Sequence, residues 1–203
     1  SPHVAGQGIH QLQTAGIDVH VGVLEEESQT LLAPFLKRLQ TGLPWVIAKW
    51  AMSLDGKMAT RTGHSQWISC PPARALVHQL RGRMDGIMVG IGTALADDPA
   101  LTARLENGNP PARVATRIVV DRHLRLPLES QLVRTAREVP VLVACESGAD
   151  ANHRRQLEAA GVEVWATPTA LNCDFDYADF VRTLLAELSS RGMTNILVEG
   201  GAS

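Results

Sequence analysis

The pattern of apolar and polar positions changes character near Thr41. Before it, residues 6–16 suit a short helix closed by glycine. Residues 17–23 (IDVHVGV) alternate apolar and polar, which predicts a strand. Residues 25–40 then carry Leu31, Leu32, Phe35, Leu36 and Leu39 at helical spacing. Three glutamates open that helix and Lys37-Arg38 stand near its end, which suits the helix dipole. Thr41-Gly42-Leu43-Pro44 breaks the pattern and marks a domain boundary.

From Trp45 onward, short apolar runs alternate with helix-length segments. Strands are predicted over 45–52, 86–90, 118–121, 140–144, 162–165 and 195–198, the last running into Glu199. Helices are predicted over 71–84, 152–160 and 175–191; Gly161 closes the second of them. This alternation indicates an α/β fold with a mainly parallel sheet. Residues 105–115, with Asn107-Gly108-Asn109-Pro110-Pro111, read as a flexible loop.

Composition narrows the class. The chain has 203 residues, 45% hydrophobic and 20% charged, a globular balance able to build a sizeable core. Its formal net charge of -2 gives no footprint for nucleic acid. No apolar run approaches the roughly 18 residues of a membrane span. The first residues lack a basic segment followed by an apolar one, so no signal peptide is expected. Cys70, Cys145 and Cys173 are odd in number and lack CxxC spacing. That argues against a disulfide framework or a cysteine zinc site, and for reduced thiols in a cytoplasmic protein.

The candidate chemistry lies where predicted strands end, because ligands of open α/β sheets bind outside the strands' carboxyl ends. The 45–52 run is interrupted by Lys49, a charge that needs a partner or a task. Lys49 is therefore either a site residue or a solvent-facing residue of an edge strand. After the run come the turn Ser53-Leu54-Asp55-Gly56 and then Ser65-Gln66-Trp67. Ser65 and Trp67 are a hydroxyl ligand and a stacking wall, or a turn and a core anchor. Gly90-Ile91-Gly92-Thr93 before a short helix suits close approach of an anion or cofactor, or is only a turn. Asp97-Asp98-Pro99 offers a proton donor or a helix terminus. Arg81 and Arg104 can fork onto a phosphate or stand as solvated surface. Glu199 binds a polar heterocycle or simply ends its strand. His20, His78 and His153 lie apart and read as surface. On residues alone, this is an α/β enzyme or binding domain with a phosphate-friendly sheet edge.

The motifs together are more specific. KWAMSLDGKMATRTGHSQWIS, VHQLRGRMDGIMVGIGTALADDPALTAR, RIVVDRHLRLPLESQLVRTA and NILVEGG occur in order between residues 43 and 203. They resemble the reductase domain of the bacterial bifunctional riboflavin-biosynthesis deaminase–reductase family. Residues 1–42 resemble the carboxy-terminal tail of that family's deaminase domain, which is cytidine-deaminase-like. The resemblance implies a dihydrofolate-reductase-like α/β fold over residues 43–203, with a mainly parallel sheet flanked by helices. It implies NADPH-dependent reduction of 5-amino-6-(5-phosphoribosylamino)uracil to the ribitylamino product, in a cytoplasmic homodimer. By position it places Ala51, Trp67, Thr93, Asp97 and Gly201 on NADPH. It places Ser65, Arg81, Leu101, Arg104 and Glu199 on the phosphorylated pyrimidine substrate. Arg81, Arg104 and Ser65 would hold the phosphate and Glu199 the uracil or sugar. Lys49 and Asp97 are the catalytic candidates near the reacting carbon.

Three departures qualify it. Arg122 stands where the family often has a cofactor-contacting serine. Neither H-x-E nor P-C-x-x-C occurs, so no deamination is expected and zinc belongs only to the absent deaminase part. The family continues past the position of Ser203, so the reductase domain is expected to be incomplete at its C-terminus. A non-catalytic ligand-binding domain and a related dihydrofolate-type reductase remain the alternative readings.

Overall fold

In the computed structural model, which describes residues 6–65, 67–104, 111, 113–168 and 176–200, the apolar runs assemble into one sheet. Its strands are β1 (Trp45–Lys49), β2 (Gly86–Gly90), β3 (Thr116–Val120), β4 (Val141–Cys145), β5 (Glu163–Ala166) and β6 (Asn195–Glu199). Their spatial order is β1-β6-β2-β3-β4-β5, and each neighbouring pair is parallel. The helices are α1 (Gln7–Thr14), α2 (Glu25–Thr41), α3 (Pro71–Arg81), α4 (Ile91–Asp97), α5 (Gln131–Arg134), α6 (Ala151–Ala160) and α7 (Tyr177–Ser190).

Successive strand residues feed opposite faces of the sheet. Ile87, Val89, Val119, Val141, Val143 and Leu197 pack in one cluster with Leu124, Leu126, Leu132 and Leu157. Met88, Ile118, Leu142, Ala144 and Ile196 pack in a second cluster with Phe180, Leu184 and Leu188 of α7. Burial on both faces is why these strands read as continuous apolar runs rather than alternating ones. The flanking helices begin at side-chain caps. Asp176 accepts from the Ala178 N–H at 2.8 Å at the start of α7. Asp150 accepts from the Asn152 N–H at 2.8 Å at the start of α6.

The structure corrects several expectations. Residues 17–23 form no strand; Ile17, Val21 and Val23 are exposed, and no described strand lies beside them to complete a ladder. β1 stops at Lys49 rather than residue 52, because its register partner β6 ends at Glu199. Trp50 and Met52 then stand exposed. α3 ends at Arg81 with Gly82 as its cap, so Met84 is buried beyond the helix rather than on its face. α5 was not foreseen; its four residues are too few to show a period, and Ser130 caps it. The 105–110 part of the expected loop, Cys173 and residue 175 lie outside the described residues.

α2 forms as the spacing indicates, yet Leu31, Leu32, Phe35 and Leu39 are exposed on it. Its C-terminal end is tied to the sheet body. Arg38 Nη2 donates to the Ser189 carbonyl at 3.0 Å, and the Lys37 ammonium lies 5.6 Å from the Trp45 ring centroid. No described helix is long and apolar enough to cross a membrane.

Candidate functional site

The carboxyl ends of β1, β6 and β2 lie side by side because β6, last in sequence among the described strands, inserts between the first two. A cavity of about 600 Å³ opens there. Such a volume is ordinary for a small-molecule site. Lys49 and Ala51 come from the end of β1, Glu199 and Gly200 from β6, and Val89 and Thr93 from β2 and α4. The loop after β1 contributes Met58, Ser65 and Trp67; α3 contributes Arg74, Val77, His78 and Arg81. The segment after α4 contributes Asp98, Pro99, Ala100, Leu101 and Arg104. Every described residue expected at the site, Asp97 included, lines this one cavity. Gly201 lies outside the described residues.

The loop after β1 reaches the cavity through two tight turns. In the first, Ser53 Oγ accepts from the Lys57 N–H at 3.0 Å, and Gly56 takes φ +79°. In the second, Thr60 Oγ1 accepts from the His64 N–H at 3.0 Å, and Gly63 takes φ +81°. Ser53 and Asp55 are spent inside the first turn, where the Ser53 hydroxyl donates to Asp55 Oδ1 at 2.6 Å. Ser65 and Trp67 stand in the cavity wall beyond these turns. Trp67 is 72% exposed, so it is a wall and not a core anchor. The Arg74 guanidinium carbon lies 4.6 Å from its ring centroid and steadies it.

Lys49 and Glu199 are register partners on adjacent strands, so their side chains emerge on the same face. Lys49 Nζ lies 4.0 Å from Glu199 Oε2. Arg81 closes on the same carboxylate, with Nε to Oε1 at 2.6 Å and Nη2 to Oε2 at 2.8 Å. Its Nη1 donates to the Thr102 carbonyl at 3.3 Å. Two cations thus share one buried carboxylate. Lys49 sits on the outermost of the described strands and lines the cavity. Arg81 and Glu199, expected to hold different parts of a ligand, hold each other. Glu199 both ends its strand and supplies a site charge.

The turn after α4 takes left-handed backbone twice, at Asp98 (φ +38°) and Leu101 (φ +49°). Neither residue is glycine, so the conformation needs support. Gln131 of α5 provides it, donating its N–H to Asp98 Oδ1 at 2.7 Å and its Nε2 to the Asp98 carbonyl at 2.8 Å. Leu101 is buried against the core. Asp97 is the last residue of α4 and is exposed at the cavity wall. The Asp97-Asp98-Pro99 motif is therefore helix terminus and cavity wall together. At Gly90 and Gly200 an added Cβ would meet nothing within 4 Å, so backbone at both strand ends is open to approach.

Sequence reasoning missed Arg74, Gln131 and His78. His78 and Arg81 stand one helical turn apart on α3, a spacing visible in the sequence once one of them is placed. His78, expected at the surface, is half-buried: its Nδ1 lies 3.2 Å from the Thr102 carbonyl and 3.3 Å from the Arg104 N–H. Burial first, then the Arg81 and Arg104 charges, hold its pKa below the ordinary 6.5. His153 is also half-buried, with Nε2 2.9 Å from the Leu126 carbonyl; His20 is exposed, as expected. Arg122 pairs with Glu146 at 2.8 Å, and that pairing holds the Glu146 carboxyl below its usual range. The described residues contain no group of three or more His, Cys, Asp or Glu arranged to hold a metal ion.

Residues 44–203 match the RibD C-terminal domain family. The riboflavin biosynthesis protein RibD of Actinobacillus pleuropneumoniae is 41% identical over 203 residues, covering 100% of this chain and 51% of that protein. RibD of Chlamydia muridarum is 39% identical over 202 residues, covering 99% and 52%. The chain spans about half the length of these curated relatives. Among solved structures, Acinetobacter baumannii RibD superposes with a TM-score of 0.78 at 33% identity, over 99% of this chain and 52% of that one. The Thermotoga maritima diaminohydroxyphosphoribosylaminopyrimidine deaminase/5-amino-6-(5-phosphoribosylamino)uracil reductase gives 0.74 at 32% identity, over 98% and 50%. The parallel sheet with flanking helices is thus the dihydrofolate-reductase-like fold that the motifs imply.

Proposed function

We propose, from the premise that this chain belongs to the RibD C-terminal domain family, that it is the NADPH-dependent reductase of riboflavin biosynthesis. Its substrate is 5-amino-6-(5-phosphoribosylamino)uracil and its product the ribitylamino compound. The observation that carries this reading is the single cavity at the β1-β6-β2 edge, where Lys49, Ser65, Arg81, Arg104 and Glu199 converge.

The lining suits both partners. Four basic side chains, Lys49, Arg74, Arg81 and Arg104, face three acidic ones, Asp97, Asp98 and Glu199, an excess that favours a phosphorylated ligand. The open backbone at Gly90 and Gly200, the exposed Trp67 ring and Thr93 fit a nicotinamide dinucleotide. When bound, that cofactor supplies a hydride.

Hydride addition to C1′ of the ring-opened, imine form of the sugar breaks the C=N π bond. The electron pair moves to nitrogen, which then takes a proton. Lys49 is the donor we assign; its Nζ lies 4.0 Å from Glu199 Oε2 at the cavity wall. Glu199, fixed by Arg81, orients the sugar or uracil, and Arg104 and Ser65 take the phosphate. Asp97 and Trp67 border the nicotinamide side. Cytoplasmic location and a homodimer accompany this reading.

The test is oxidation of NADPH by the purified protein, with and without the phosphoribosylamino substrate. Substrate-dependent turnover is expected, with Lys49→Met lowering kcat on the order of 100-fold or more while substrate KM changes little. Absence of turnover by the complete gene product sinks the assignment. NADPH binding without turnover favours a ligand-binding domain, and turnover with a dihydropterin instead favours a dihydrofolate-type enzyme.

A further inference from the structure

One imidazole nitrogen, His78 Nδ1, faces a carbonyl and an amide N–H at once: Thr102 O at 3.2 Å and Arg104 N at 3.3 Å. It can donate to the first or accept from the second, and not both. Two features decide between them. Thr102 O already receives Arg81 Nη1 at 3.3 Å, so it does not depend on the histidine. Burial and the Arg81 and Arg104 charges disfavour the doubly protonated ring, against Glu199 and the Thr102 carbonyl, so one ring nitrogen is left as an acceptor, and the Arg104 N–H 3.3 Å from Nδ1 makes Nδ1 that nitrogen. With Nδ1 unprotonated, the Arg104 N–H has an acceptor. With Nδ1 protonated, two N–H groups would point at each other.

The geometry points to His78 as a positioning residue, which accepts the Arg104 N–H and thereby fixes where the Arg104 guanidinium stands in the cavity. Three further observations support this. His78 itself lines the cavity, so it joins α3 to the segment carrying Arg104. The Arg104 side chain is exposed and residues 101–104 take no regular structure, so contacts of this kind help to anchor it. Arg81, one turn away on α3, binds the same segment at Thr102, so the helix grips it at two points. The role of Arg104 as a phosphate ligand rests on the function proposed above; the hydrogen bond to its backbone does not.

Two measurements test it on the full 203-residue chain. The first is the ¹⁵N shift of His78 Nδ1 near neutral pH, with no ligand present. An unprotonated, acceptor-type shift is expected, and a protonated one overturns the proposal whatever the chain's activity. The second is calorimetric binding of ribose 5-phosphate to His78→Ala, His78→Asn, Arg104→Ala and the double variant. His78→Ala should weaken binding about fivefold, the worth of one ordinary hydrogen bond. His78→Asn, whose amide oxygen can replace Nδ1, should restore it to within about twofold. In the Arg104→Ala background, His78→Ala should cost nothing further. Independent, additive losses overturn the proposal. Failure of the unaltered chain to bind ribose 5-phosphate counts against the phosphate reading of Arg104, and the ring-nitrogen shift then decides the role of His78 by itself.

Discussion

Arg81 and Glu199, separated by 118 residues in sequence, meet as a two-pronged ion pair with contacts of 2.6 and 2.8 Å. The side chains are only 15% and 9% exposed. This pair joins α3 to the end of β6 and forms part of the cavity wall. Its geometry is the fork-on-carboxylate arrangement that lysine cannot reproduce.

Removing one partner leaves the other charge buried. Arg81→Ala is expected to lower unfolding free energy by about 2–4 kcal/mol, read from urea denaturation. Arg81→Ala/Glu199→Ala should cost less than the sum of the single changes. Additive losses would show that the pair contributes geometry and no coupling.

His78 sets a pH dependence. Its folded-state pKa is lowered from 6.5, so the folded chain holds fewer protons there than the unfolded one. Its contribution to stability is complete above that value and is lost as pH falls through the window beneath it. The unaltered chain should therefore lose unfolding free energy relative to His78→Asn as pH drops below 6.5. A difference that stays level across that range contradicts the assignment.

Trp67 is exposed and backed by Arg74, so it contributes little to the core. Trp67→Ala should leave the melting temperature within a few degrees while raising the KM for NADPH about tenfold, by loss of a stacking surface. Matching losses in stability and affinity would instead make it a structural residue.

Cys145 and Cys70 should differ sharply in reactivity. Cys145 is buried, and burial pushes its thiol up to about 11, whereas Cys70 is exposed. Alkylation of the native chain near pH 8, mapped by mass spectrometry, should label Cys70 and spare Cys145 until denaturant is added.

Most of the fold could be read from the chain, because parallel strands buried on both faces leave unbroken apolar runs such as GIMVG and VLVAC. Local pattern failed where tertiary context decides. Residues 17–23 alternate like a strand but have no described partner, and β1 stops where β6 stops. Motifs at strand ends pick out candidate residues that line one cavity, yet their pairings were not legible. Nothing local to Arg81 announces Glu199. Arg117 shows the same limit. It reads as one basic residue before an apolar run, but it is 1% exposed and donates to the Thr135 and Val139 carbonyls at 3.0 and 2.5 Å. Burial pushes its pKa down to about 10, against the opposing charge of Glu138.

The insertion of β6 between β1 and β2 also orders events in time. Among the described strands β1 touches only β6, so it has no place in the sheet until residues 195–199 arrive. During synthesis, β2, β3, β4 and β5 can pair as they emerge, while Trp45–Lys49 waits through almost the whole length of this chain. Lys49 and Glu199 come together in that last pairing. Among the described strands, the cavity that Lys49 and Glu199 line therefore forms after β2, β3, β4 and β5 have been able to pair.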